Sequence, residues 1–165
     1  MDQTSCERLI HAYVSSKLDY CNSLLFGLPS AKLDIIQRIQ NNAARLVTRT
    51  RRTEHITPVM FRLHWLPVRQ RIDYKILMIT LHHHQVQSYL RSQLHLRSSS
   101  RSLRSSSSPT LVVPQTKTKS YGDRSFSACA PRLWNNLPDH IRNADNINSF
   151  KTKLKTYLFD AAYCV

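Results

Sequence analysis

The stretch Ala130-Pro131-Arg132-Leu133-Trp134-Asn135-Asn136-Leu137-Pro138, continued by Ile141-Arg142-Asn143-Ala144 and Phe150-Lys151, sets the character of the chain. It reads as a short apolar helix halted by proline, a polar elbow and a final amphipathic helix. Upstream, Phe126, Ala130 and Leu133 fall on one side of a helix expected from about Arg124 to Trp134. Downstream, Ile147, Phe150, Leu154, Leu158 and Ala161 recur at helical spacing opposite Lys151, Lys153 and Lys155, with caps available between Asn146 and Ser149.

The same period runs through the first half. Ile10, Val14, Leu18, Cys21 and Leu25 make one stripe of a helix expected from Cys6 to Phe26, stopped by Gly27 and Pro29. Ser30 is the expected N-cap of a second helix, with Ile36, Ile39, Ala43, Leu46 and Val47 inward and Arg38, Asn41, Asn42, Arg45 and Arg49 outward. Thr57-Pro58 reads as cap and first residue of a short helix closed by Trp65-Leu66-Pro67. Val68, Ile72, Ile76 and Ile79 define a third long helix. Thr110 to Pro114 is β-prone, and its expected partner in a small ribbon is Thr118 to Tyr121. The expected fold is therefore mainly α: a helical bundle with a flexible Ser/Arg-rich loop and room for one short β ribbon. Three stretches follow: a helical region over 1–96, the Ser/Arg-rich loop over 97–109, and a short strand with C-terminal helices packing on the same core over 110–165. The run Ser98 to Pro109 has too few apolar groups to offset the entropy of ordering itself.

Composition narrows the classes of function. Two glycines, Gly27 and Gly122, leave no Gly-rich loop to cradle a nucleotide phosphate. The formal net charge is +14, and no acidic residue occurs between Asp73 and Asp123, a span holding Lys75, Arg91, Arg97, Arg101, Arg104, Lys117 and Lys119. Such an imbalance attracts polyanions. Nucleic acid is the first candidate partner and an anionic membrane surface the second, with an inert basic surface as the plain alternative. No stretch approaches the roughly 18 apolar residues of a membrane span, and Met1 to Ser5 does not begin a signal peptide. Cys6, Cys21, Cys129 and Cys164 show no paired spacing, which fits reduced thiols in an intracellular protein, nuclear or cytoplasmic and not secreted.

Candidate chemistry is sparse. His82-His83-His84 would point about 100° apart on a helix and cannot converge on one ion, so no metal site is expected. No Gly-x-Ser-x-Gly or comparable motif places a nucleophile, so neither catalytic residues, a cofactor nor a small-molecule substrate are expected. Asp19, Asp34, Asp73 and Asp123 read as caps or ion-pair partners. The remaining candidates are cations for phosphate contact: Arg49, Arg51, Arg52, Arg97, Arg101, Arg104, Lys117, Lys119 and Arg124. The first three also end a helix, where capping its negative pole is an alternative role. Trp65 and Trp134 are candidates for stacking on unpaired bases, against core packing among leucines and prolines as the plainer role.

Several blocks together resemble one family. Besides the C-terminal stretch they are Lys17-Leu18-Asp19-Tyr20-Cys21-Asn22-Ser23-Leu24-Leu25-Phe26-Gly27-Leu28-Pro29, Ile39 to Val47, His55-Ile56-Thr57-Pro58, Leu63-His64-Trp65-Leu66-Pro67, Ser102 to Ser106 and Tyr121-Gly122-Asp123-Arg124-Ser125-Phe126. In this order, from about Leu9 to Phe159, the set resembles the C-terminal region of LINE-type (non-LTR, jockey-like) retrotransposon reverse transcriptases. The chain departs from that pattern at His82 to Leu90, where the family has a Leu-His-Gly turn and an Ala-Pro. The resemblance implies a non-catalytic fragment downstream of the polymerase palm. The parent would be an RNA-directed DNA polymerase, and the partners RNA or DNA and the rest of that polypeptide. No Tyr/Phe-x-Asp-Asp turn occurs, so the metal-binding carboxylates of such a polymerase are absent from this chain. A helical protein-interaction module and a relic reading frame without selected function are the alternatives.

Overall fold

The computed structural model describes residues 2–82, 92–97, 110–118 and 120–163. Several features of the sequence fall outside these residues: the run 98–109 with Arg101 and Arg104, Lys119, His83 and His84 with the departing segment up to 90, and Cys164. The chain is mainly helical, as its periodicity predicts. It divides into two compact units, Met1–Ile72 with Tyr157–Val165, and Asp73–Thr156. No described helix is long and apolar enough to cross a membrane.

In the first unit, α1 (Gln3–Ile10) continues through a π turn, His11–Ser15, into α2 (Ser16–Asp19). A π turn bonds i to i+5 and takes up one extra residue. The inward row therefore passes through Cys6, Ile10, Ser15 and Asn22, and not through the unbroken stripe ending at Cys21 that the α period predicts. Cys21 instead lies exposed in the left-handed region, φ 51°, and ends the helix well before Phe26. A 3-10 turn, Asn22–Leu25, and Gly27 at φ 70° lead to Pro29.

Helix α3 (Ser30–Thr48) follows. Ser30 is its first helical residue and not its cap; the Pro29 carbonyl accepts from Lys32 and Leu33, while the Ser30 hydroxyl accepts from Arg69 at 3.2 Å. Its buried face is Leu33, Gln40, Ala43, Ala44 and Val47, rotated from the expected one, so Ile39 (51 % exposed) and Leu46 (61 %) face outward. The rotation follows from Gln40. Its amide donates to the Leu66 carbonyl at 2.9 Å, and neighbouring Gln37 accepts from the Val68 N–H at 2.8 Å, so polar side chains reach inward without losing their partners.

Helix α4 (Thr57–Arg62) is capped by Ile56, one residue earlier than Thr57-Pro58 predicts. It ends in a Schellman motif: His64 takes φ 53°, its N–H reaches the Phe61 carbonyl at 3.0 Å, and the Trp65 N–H reaches Met60 at 3.1 Å. Its residues Val59 and Met60 join Cys6, Ile10, Ala43, Ala44, Val47 and Trp65 in one core. Arg71, on α5 (Val68–His82), forks onto Asp19 with Nε–Oδ1 2.8 Å and Nη2–Oδ2 2.5 Å. At the far end of the chain, Phe159 and Tyr163 pack their rings on Phe61, with centroids 5.2 and 5.8 Å away, and the Tyr163 hydroxyl donates to the Trp65 carbonyl.

The second unit is built on α5 from Asp73 onward, α6 (Phe126–Asn135), α7 (Asp139–Arg142) and the part of α8 (Ile147–Tyr163) up to Thr156. Pro131 lies inside α6, as it does in the helix expected from about Arg124 to Trp134; having no N–H, it deprives the preceding turn of one bond. Asn146 caps α8, accepting from the Ser149 N–H at 2.7 Å. Trp134 stacks on Phe150 at 5.7 Å and 24°, and Ile141 and Leu154 of the same unit are fully buried. Among the described residues there is no strand, and the ribbon expected between Thr110–Pro114 and Thr118–Tyr121 is not formed. Leu111 instead bridges Leu96 antiparallel, with Arg97 N–H on the Thr110 carbonyl and Val112 N–H on the His95 carbonyl. Its other edge belongs to Asn135, whose amide accepts from the Leu111 N–H (2.9 Å) and donates to the Leu111 carbonyl (2.8 Å). One side chain thus imitates a neighbouring strand and satisfies a backbone that has none.

Candidate nucleic-acid interface

Phosphate contact needs cations that face water and are not already engaged by carboxylates. Of the nine candidates, Arg49, Arg51 and Arg52 belong to the first unit and Arg97, Lys117 and Arg124 to the second; Arg101, Arg104 and Lys119 are outside the described residues.

The first trio is set by the end of α3. Arg49 takes φ 54° and the Thr50 N–H returns to the Arg45 carbonyl at 3.2 Å, which turns the chain sharply off the helix. Arg45 then donates to the Glu54 carbonyl at 2.9 Å, and Glu54 N–H to the Arg51 carbonyl at 3.2 Å, closing the turn. Arg51 and Arg52 project from it, exposed, beyond the last helical turn.

The second trio lies around the bridged segment and the turn after it. Arg97 is exposed beside Leu96. Lys117 is exposed, and Arg124 is half-buried at the end of the 3-10 turn Gly122–Arg124. That turn is tightly made. Gly122 N–H donates to the Thr118 hydroxyl at 3.0 Å, Asp123 N–H to the Thr118 carbonyl at 3.2 Å, and the Ser125 hydroxyl to the Gly122 carbonyl at 2.7 Å. Asp123 accepts from the Thr116 hydroxyl and from Arg132 Nη2 at 2.7 Å. A Cβ on Gly122 would stand 2.9 Å from the Thr116 Cβ, closer than side-chain carbons approach, so the turn has no room for another residue there.

Carboxylates elsewhere are spent on structure. Asp19 serves Arg71, Asp123 serves Arg132 and Asp139 serves Arg142, whose side chain is only 10 % exposed. Arg51, Arg52, Arg97 and Lys117 take part in no ion pair among the described residues. The two tryptophans do not serve as stacking surfaces: Trp65 is 6 % and Trp134 5 % exposed, both in cores. Among the described residues the exposed aromatics are Tyr13, Tyr20, Phe61 and Tyr121, none of them among the stacking candidates expected from the sequence. The signal for Tyr121 was present: an aromatic in a polar, turn-forming run, with no apolar residue three or four positions away.

Nothing in the site resembles a nucleophile or a metal centre. Cys129 is buried, and loss of hydration pushes its thiol up to about 11, so it stays protonated. Among the described residues no three His, Cys, Asp or Glu side chains gather as they would around an ion. His11 packs edge-on to Trp65 at 5.5 Å, and His64 lies 5.7 Å from the Phe159 ring. No protein-family model, curated protein or solved structure matches the chain.

Proposed function

We propose that this chain is the non-catalytic C-terminal part of a LINE-type reverse transcriptase, a basic accessory domain that holds RNA or DNA by its phosphates. The observation that carries the reading is the division of labour among charges. Three arginines hold the carboxylates Asp19, Asp123 and Asp139, while Arg51, Arg52, Arg97 and Lys117 stand exposed and uncompensated on a chain of net charge +14. Contacts of this kind position a nucleic acid without reading its sequence. The ordered sequence blocks supply the family; polymerisation belongs to the parent polypeptide and not to this part.

Mobility shifts on RNA and DNA across a salt series test the proposal. If about six phosphates are neutralised, log affinity falls with log salt at a slope of about −5. Charge reversal at Arg51, Arg52, Arg97 and Lys117 flattens that slope by roughly one per site lost. Absence of binding at low salt overturns the reading.

A second reading, a helical protein-interaction module, is favoured by one observation: Ile35, Ile39 and Leu46 form an outward apolar row along α3. Light scattering on the eluting protein distinguishes it, since a monomer at every concentration speaks against self-association through that row.

A further inference from the structure

Helix α3 turns two glutamines inward and three large aliphatic side chains outward: Ile35 is 53 % exposed, Ile39 51 % and Leu46 61 %. Single apolar side chains in water are ordinary, but a row of them along one helix marks an interaction surface. The helix has no freedom to roll this row under. Gln40 donates to the Leu66 carbonyl at 2.9 Å and Gln37 accepts from the Val68 N–H at 2.8 Å. Together with buried Ala43, Ala44 and Val47, these bonds fix its rotation. With exposed Asn42 between them, the outward residues stand at positions 35, 39, 42 and 46, steps of four, three and four. That is the spacing of a coiled-coil seam with one polar position, carried over about 16 Å of helix.

The flanks of the row are cationic. At about 100° per residue, Lys32 lies about 40° to one side of it and Arg38 about 80° to the other. Both are exposed, and neither makes an ion pair among the described residues. Asp34, the one carboxylate of the helix, is about 120° away. We propose that the outward face of α3 is the docking surface for an acidic amphipathic helix of another protein. The aliphatic row of that helix packs on Ile35, Ile39 and Leu46, and its carboxylates meet Lys32 and Arg38. The proposal rests on the protein-interaction reading above and names the partner's chemistry. A second copy of this chain fits poorly, because it brings its own Lys32 and Arg38, on a molecule of net charge +14, to the same seam. Nucleic acid would satisfy the cations and gain nothing from three aliphatic side chains. An extended peptide needs a sheet edge for its backbone, and a helix surface, whose own N–H and C=O groups are paired internally, offers none. A helix satisfies its own backbone and presents side chains at the matching spacing.

The test uses the full chain and three labelled synthetic peptides, each stapled into a helix. One is acidic, with leucines at the matching spacing and glutamates beside them; the second is its basic twin, with lysine for glutamate; the third is an acidic scramble of the same composition without the row. By fluorescence anisotropy the acidic helix is expected to bind at least about tenfold more tightly than the scramble or the twin. Ile39→Ser is expected to lower it to the level of the scramble, with the unfolding midpoint and the affinity for duplex DNA unchanged, as the exposure of Ile39 implies. Lys32→Glu combined with Arg38→Glu weakens the acidic helix and gives the basic twin the advantage. Equal binding of acidic helix and scramble, or undiminished binding in Ile39→Ser, overturns the docking surface. A parallel loss of duplex affinity in Ile39→Ser assigns the face to nucleic acid and overturns it too. Dimers seen by light scattering and broken by Ile39→Ser overturn the acidic partner and keep the interaction reading. A chain that stays monomeric and takes no peptide through the row removes that reading as well.

Discussion

Three side chains show how local demands shape this chain. Cys21 adopts φ 51° while exposed, a conformation that costs a residue with a Cβ about 1 kcal/mol or more and glycine nearly nothing. Cys21→Gly is therefore expected to raise stability by up to about 1 kcal/mol, and Cys21→Val, β-branched, to lower it by at least as much. Urea unfolding of both variants checks the opposite signs. Asn135 carries the other lesson. Its amide both donates to and accepts from Leu111, so Asn135→Asp keeps the shape and loses the donor. We expect a loss of about 1–3 kcal/mol, and an Asn135→Asp chain as stable as the parent would show that the clamp is not needed. Arg142 shows the reverse economy: its Nε and Nη1 have no partner among the described residues, and the exposed Asp139 serves only Nη2.

Among elements, the π turn at His11–Ser15 has the sharpest consequence. It absorbs one residue, so deleting exposed Ala12 lets the segment run as plain α-helix with Cys6, Ile10, Ser15 and Leu18 still on one side and the Asp19–Arg71 fork intact. Stability is expected to change by less than about 1 kcal/mol. Deleting Asn42 from regular α3 instead rotates the remainder of the helix by about 100° and costs more than about 3 kcal/mol. Calorimetry on the two deletions separates these outcomes. The same turn explains what was legible beforehand. Apolar recurrence at three and four located the helices of both halves, and Phe150, Leu154 and Leu158 are buried as their spacing implies. It failed where a non-α turn shifted the phase, where Gln40 found a carbonyl inside the core, and where Asn135 replaced a strand. The last two depend on a partner distant in sequence and the first on a local change of bonding, none of which periodicity registers. Charge was legible as an amount; which arginines are consumed by Asp19, Asp123 and Asp139 required the fold.

For the molecule as a unit, burial of neutral acids sets an alkaline limit. The Cys129 thiol is pushed up to about 11 from an ordinary value of 9.0, and the Tyr163 hydroxyl to about 12 from 10.0, both through loss of hydration. Both are neutral when protonated and release their protons more readily from the unfolded chain. Their stabilisation is complete below the unfolded values and is lost as pH rises through 9 to 11 for the thiol and 10 to 12 for the phenol. The urea midpoint is expected to fall over that window, with Cys129→Ala flattening its lower part; a midpoint that stays level up to pH 11 contradicts this. The bridge between Leu96 and Leu111 has a different consequence. Arg97 and Thr110 are pinned to each other by the Arg97 N–H, so the stretch 98–109 leaves and returns at one spot. Closing a span costs only about 0.6 kcal/mol more when its length doubles. That spot is a natural port for splicing in an epitope or a fluorescent reporter, whose length the Asn135 clamp would not feel.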